Sequence, residues 1–177
     1  MLNLLPLLRD IIQLRRGPQD MPYSTSLLAG VCVASLTLQL GIAYLMGIEG
    51  ETLAAGIIGL IINLGFLYFI LTLRGFASRF VQTATALLCC TIVFSIITVP
   101  IVFLIGTRPM TPEQMSPLQA LLGLLSLPIV IWKLIVDAHI LRHSLAIPFI
   151  GGVGVAILWI IAEYAIGSLL HTQAGVP

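Results

Sequence analysis

A chain of 177 residues in which 59% are hydrophobic and only 8% are charged cannot build a soluble surface, because soluble domains carry about 25% charged residues. With a mean hydropathy of +1.12, it reads as an integral membrane protein, all-α, a single membrane domain over residues 1–177. A net charge of +1 and 7% aromatics exclude both the basic footprint and the base-stacking surface of a nucleic-acid binder.

Residues 2–16 predict an amphipathic helix. At 100° per residue, Leu4, Leu5, Leu7, Leu8, Ile11, Ile12 and Leu14 share one broad face, and Asn3, Arg9, Asp10, Gln13 and Arg16 the other. The segment is too short and too charged to span. It is expected to lie in the membrane interface, with a helix docked on protein as the other reading. It lacks the basic region and uninterrupted apolar stretch of a signal peptide, since Pro6 falls within it. Gly17 is expected to stop the helix, and Pro18 and Pro22 to keep the following stretch extended.

Five apolar segments follow, at roughly 27–47, 53–73, 81–105, 118–139 and 148–170, each near the ~20 residues needed to cross a ~30 Å hydrocarbon core. Ser116 and Pro117 suit the N-cap and first position of the fourth helix, and Pro148 the first position of the fifth. Gly30 with Ala34, Ala55 with Gly59, and Gly152 with Ala156 have the small-xxx-small spacing of close helix approach, and "FIGGVGVA" makes the fifth span the best candidate for tight packing. Pro100 and Pro128 lie inside spans and are expected to kink or loosen them. Cys32, Cys89 and Cys90 sit in apolar runs without metal-ligand spacing and read as packing residues.

Five spans sort the connections into two sets. One side holds Arg9, Arg15, Arg16, Arg74, Arg79 and Arg142; the other holds Arg108 with Glu49, Glu51 and Glu113. The positive-inside rule then places the N-terminus in the cytoplasm and the C-terminus outside. Arg9, Arg15 and Arg16 become membrane-surface contacts on the anionic leaflet.

The densest polar stretch is "IWKLIVDAHILRH", residues 131–143. His139 and His143 are four apart, but the residue after the first is Ile140, where a zinc protease needs its glutamate base. Two histidines on one helix face also cannot take opposite sides of one haem iron. No cofactor, metal centre or catalytic group is predicted. Lys133 and Asp137 share a face at i, i+4. At 1.5 Å per residue they lie about 7 and 13 Å inward of the span's midpoint near Pro128, with Arg142 and His143 at the headgroups. Glu163 lies about 7 Å to the outer side of the fifth span's midpoint, so pairing with Lys133 needs a shift of register. Lys133, Asp137, His139, Arg142, His143 and Glu163 form the candidate polar cluster. Gln82, Thr83, Thr85, Thr91, Ser95 and Thr98 stud the third span and are expected to hydrogen-bond across helices.

The layout resembles the Yip1-like group of small membrane proteins, which have five membrane helices, a cytoplasmic N-terminal segment and a non-cytoplasmic C-terminus. The local likeness is "IWKLIVDAHILRHSLAIPFIGG", where a tryptophan precedes an aliphatic stretch and a basic turn into the fifth helix. It covers about residues 25–170, mainly as topology. It implies a non-enzymatic role in membrane organisation, trafficking or assembly of a partner complex. The expected function is thus that of a non-catalytic scaffold, accessory or assembly subunit in the inner membrane of a bacterium. Its partners would be membrane lipids and another membrane protein or a second copy. The alternative is a small transporter or ion- or proton-conducting subunit using Lys133, Asp137 and Glu163.

Overall fold

The computed structural model describes residues 4–47, 53–106 and 116–173, without the side chains of 163–164 and 166–173. Expectations for Glu49, Glu51, Arg108 and Glu113, and for the side chain of Glu163, fall outside the described residues. Among these residues the α-helices are, in order, α1 (Leu4–Ile12), α2 (Thr25–Met46), α3 (Leu53–Leu73), α4 (Phe80–Ile105), α5 (Pro117–Leu145) and α6 (Phe149–Gln173). Among the described residues four stretches are long and apolar enough to cross a membrane: Thr25–Met46, Leu53–Leu73, Ala77–Ile105 and Pro117–Leu145. A shorter apolar stretch, Phe149–Ala162, belongs to α6. Helix is what an apolar segment must form in lipid, where every backbone group has to find its partner within the segment.

Local signals set several of the ends. Ser24 caps α2 by accepting from Leu27 N at 3.2 Å. Ser116 and Gln119 cap α5 reciprocally: Ser116 Oγ accepts from Gln119 N at 3.2 Å, and Gln119 Oε1 from Ser116 N at 2.9 Å. Pro100 and Pro128 sit within α4 and α5, which continue through them.

Two ends differ from expectation. α1 stops at Ile12, not at residue 16. Leu14 adopts a left-handed φ of 60°. Arg15 N then donates to Asp10 O at 2.8 Å, and Leu14 N to Ile11 O at 2.9 Å. This is a Schellman closure with leucine in the place usually held by glycine, so Gly17 is not the terminator. α5 runs to Leu145, six residues past the expected end of its span at 139. It closes by the same device: Ala146 has φ 51°, and Ile147 N donates to Arg142 O at 3.1 Å.

α4 is the central helix, packed against α1, α2, α3 and α5, while α6 lies on α5 and also touches α3. α5 and α6 approach each other closely at Gly152. A Cβ there would meet Ala138 O at 2.5 Å and Arg142 Cβ at 3.0 Å, and Ala156, one turn on, is buried. Gly30 and Gly59 have the same small-residue spacing but open space around them; in the α2–α3 contact it is Gly56 that meets Leu36. An edge-to-face pair, Phe66 with Trp159, joins α3 to α6 with ring centroids 5.6 Å apart.

The core lies toward one end of the bundle. Leu67 and Leu71 of α3, Ala84 to Cys90 of α4 and Val136 to Leu145 of α5 meet there with Leu7 and Ile11 of α1 and with Met21. The opposite half of α5 is mostly exposed, from Leu118 to Ile131, with half-buried positions at 119, 122, 123, 126 and 129. That spacing is a single helical stripe turned to the bundle. α1 therefore does not rest on lipid alone. Leu7 and Ile11 insert between α4 and α5 while Leu5 points outward.

Candidate functional site

The C-terminal turns of α5 carry the polar cluster, and three other segments converge on them. Lys133 Nζ meets Asp137 Oδ2 at 2.5 Å, the i, i+4 pair expected from spacing. Asp137 is 8% exposed and His139 5% exposed, so both are buried in protein. Trp132, on the same face as His139, is 42% exposed. The difference arises because the N-terminal segment covers only the last turns of α5. His139 Nε2 lies 3.1 Å from the carbonyl of Arg16. A carbonyl can only accept, so that nitrogen carries the proton and donates.

One turn further, the His143 ring stands edge-to-face on His139, with centroids 4.6 Å apart. Arg142 Nη2 lies 3.3 Å from His143 Nε2. Arginine only donates, so His143 accepts through Nε2 and its Nδ1 bears the proton. The Arg142 guanidinium also lies over the Phe149 ring, 5.9 Å from its centroid.

Arg79, in the turn before α4, donates through Nη1 to the carbonyls of His143 and Ser144, both at 3.1 Å. Carbonyls at a helix C-terminus lack intrahelical donors and carry the negative end of the helix dipole, so a guanidinium is well placed there. Thr83 Oγ1 and Ser144 Oγ lie 2.9 Å apart, both buried, joining α4 to α5. Gln82 Nε2 donates to Gln19 O at 3.1 Å and Met21 O at 2.6 Å, tying α4 to the N-terminal segment. Of the polar studs on this helix, Gln82 and Thr83 thus reach other elements. Thr85 and Thr98 instead donate back to the carbonyls of Val81 and Phe94.

These contacts bring Arg16, Arg74, Arg79 and Arg142 to one end of the bundle. At that end lies an open cavity of about 520 Å³ lined by Gln19, Arg79, Arg142, His143, Ala146 and Ile147. Arg142 and His143 belong to the cluster expected from the sequence; Arg79 entered that expectation only through its charge, and Gln19 did not enter it, because its nearness depends on the fold of residues 17–21. Among the described residues no group of three His, Cys, Asp or Glu side chains could hold a metal ion.

No family model, no curated protein and no solved structure matches this chain.

Proposed function

We propose that the protein is a five-span membrane scaffold or assembly subunit of a bacterial inner membrane, with its N-terminus in the cytoplasm, acting through protein and lipid contacts and not by catalysis. The observation that carries this reading is how the polar groups are used. Arg79, Gln82, Thr83, Lys133 and His139 each bond to another group of the chain at the arginine end. The other half of α5 offers a long apolar surface on more than one side. Such a helix suits contact with a second membrane protein or a second copy. The likeness to the Yip1-like group belongs to the same proposal, on topology and the stretch from Trp132 to Arg142.

Cross-linking in native membranes, followed by purification in mild detergent, tests it. A stable complex or homo-oligomer is expected and should survive Lys133→Ala; recovery of monomer only would sink the reading. A C-terminal alkaline phosphatase fusion should be active and a C-terminal green fluorescent protein fusion dark; the reverse pattern overturns the orientation.

The Lys133–Asp137 pair within a span favours a second reading, conduction or transport through Lys133, Asp137 and Glu163. Proteoliposome flux that falls in Lys133→Met and Glu163→Gln would support it. Flux equal to that of empty liposomes removes it.

A further inference from the structure

The cavity between α4, α5 and the N-terminal segment has the composition of an anion site. Arg79 and Arg142 supply guanidinium groups, His143 a ring N–H and Gln19 an amide. Their positions are set by the protein: Arg79 by two carbonyls of α5, Arg142 by His143 and Phe149. The C-terminal carbonyls of α5 would repel an anion, but Arg79 already engages those of His143 and Ser144. Arg16 and Arg74 stand at the same end of the bundle as Arg79 and Arg142, and the acidic residues of the N-terminal segment there are Asp10 and Asp20. Asp10 is engaged by Arg16 at 3.2 Å, and Asp20 accepts from Gly17 N at 3.1 Å.

The place of the cavity names the occupant. It lies at the C-terminal end of α5, the arginine-bearing end of the bundle, where the headgroups of an anionic leaflet would stand on the membrane-spanning reading, and paired guanidinium groups match a phosphate.

We propose that this cavity binds the phosphate of an anionic phospholipid. The proposal rests on the membrane-spanning reading and deepens it by naming the lipid class.

The test uses the full-length chain in a neutral detergent, with thermal unfolding followed on addition of dioctanoyl phosphatidylglycerol, dioctanoyl phosphatidylcholine or inorganic phosphate. Phosphatidylglycerol is expected to raise the midpoint saturably and phosphatidylcholine not to. Arg142→Gln and, separately, His143→Gln should weaken the phosphatidylglycerol response about ten-fold or more, the loss expected for a charge-assisted hydrogen bond. Their circular dichroism and lipid-free midpoints are measured alongside, and the conclusion is drawn from whichever variant stays folded. Arg79 is left intact because it also caps α5. Equal responses to the two lipids, or an undiminished response in the folded variants, would overturn the site. Equal protection by inorganic phosphate would keep the anion site and overturn its lipid occupant. Carbonate extraction of native membranes reports separately on membrane integration, so failure of lipid binding and failure of the membrane reading are distinguishable.

Discussion

The contact between α5 and α6 makes the sharpest test of the packing. In Gly152→Ala the new Cβ would stand 2.5 Å from Ala138 O, 3.0 Å from Arg142 Cβ and 3.3 Å from Ala138 C. Carbon and carbonyl oxygen ordinarily approach no closer than about 3.3 Å, so the helices must separate by roughly 0.8 Å. Two of the three atoms are backbone, and neither can move without α5 moving. Overpacking of this kind costs about 1–3 kcal/mol. At roughly 2–4 °C per kcal/mol for a chain of this size, the midpoint should fall by about 2–12 °C. Gly154→Ala is the matched control, on the same helix but with open space at its Cβ. It should be neutral or stabilising, since alanine favours helix over glycine by up to about 1 kcal/mol. Thermal unfolding of both variants in one detergent decides the matter. If Gly152→Ala unfolds no earlier than Gly154→Ala, the close approach of α5 and α6 is not there.

Arg79→Gln removes the guanidinium that holds two terminal carbonyls of α5, and a loss of about 1–2 kcal/mol is expected by chemical denaturation. Arg74→Gln is expected to have a smaller effect, since that side chain is exposed and only 3.5 Å from Leu145 O. A double-mutant cycle of Thr83→Val and Ser144→Ala should return a coupling of about 0.6–1.7 kcal/mol, the range for hydroxyl pairs between membrane helices; zero coupling would mean that the hydroxyls do not meet. Ala146→Gly should stabilise by up to about 1 kcal/mol, because Ala146 is exposed and left-handed, and glycine relieves its Cβ at no loss of packing. An unchanged or lower midpoint would remove that account of the α5 terminus.

Features formed within one stretch of chain were legible. The Ser116 cap of α5 and the Lys133–Asp137 pair each join residues three or four apart, which helical periodicity brings together whatever the tertiary fold. Small-residue spacing was a weaker guide. Gly152 proved to be a contact and Gly30 and Gly59 did not, because spacing shows where a helix can be approached and not whether a neighbour comes. Leu14 hid the end of α1, since leucine rarely takes the left-handed turn that glycine signals.

What the sequence determined by itself is the membrane setting, the helices and the arginine-rich end. Apolar length, caps and charge are properties of consecutive residues, and lipid compels such segments to satisfy their own backbone. Only the tertiary structure decided that α1 packs between α4 and α5, that His139 is covered, and that Gln19, Arg79 and Arg142 border one cavity. The physical reason lies in the acceptors. Arg79, Gln82 and His139 bond to backbone carbonyls of His143, Ser144, Gln19, Met21 and Arg16. Every residue has such a carbonyl, so no side-chain pattern marks which one will be met.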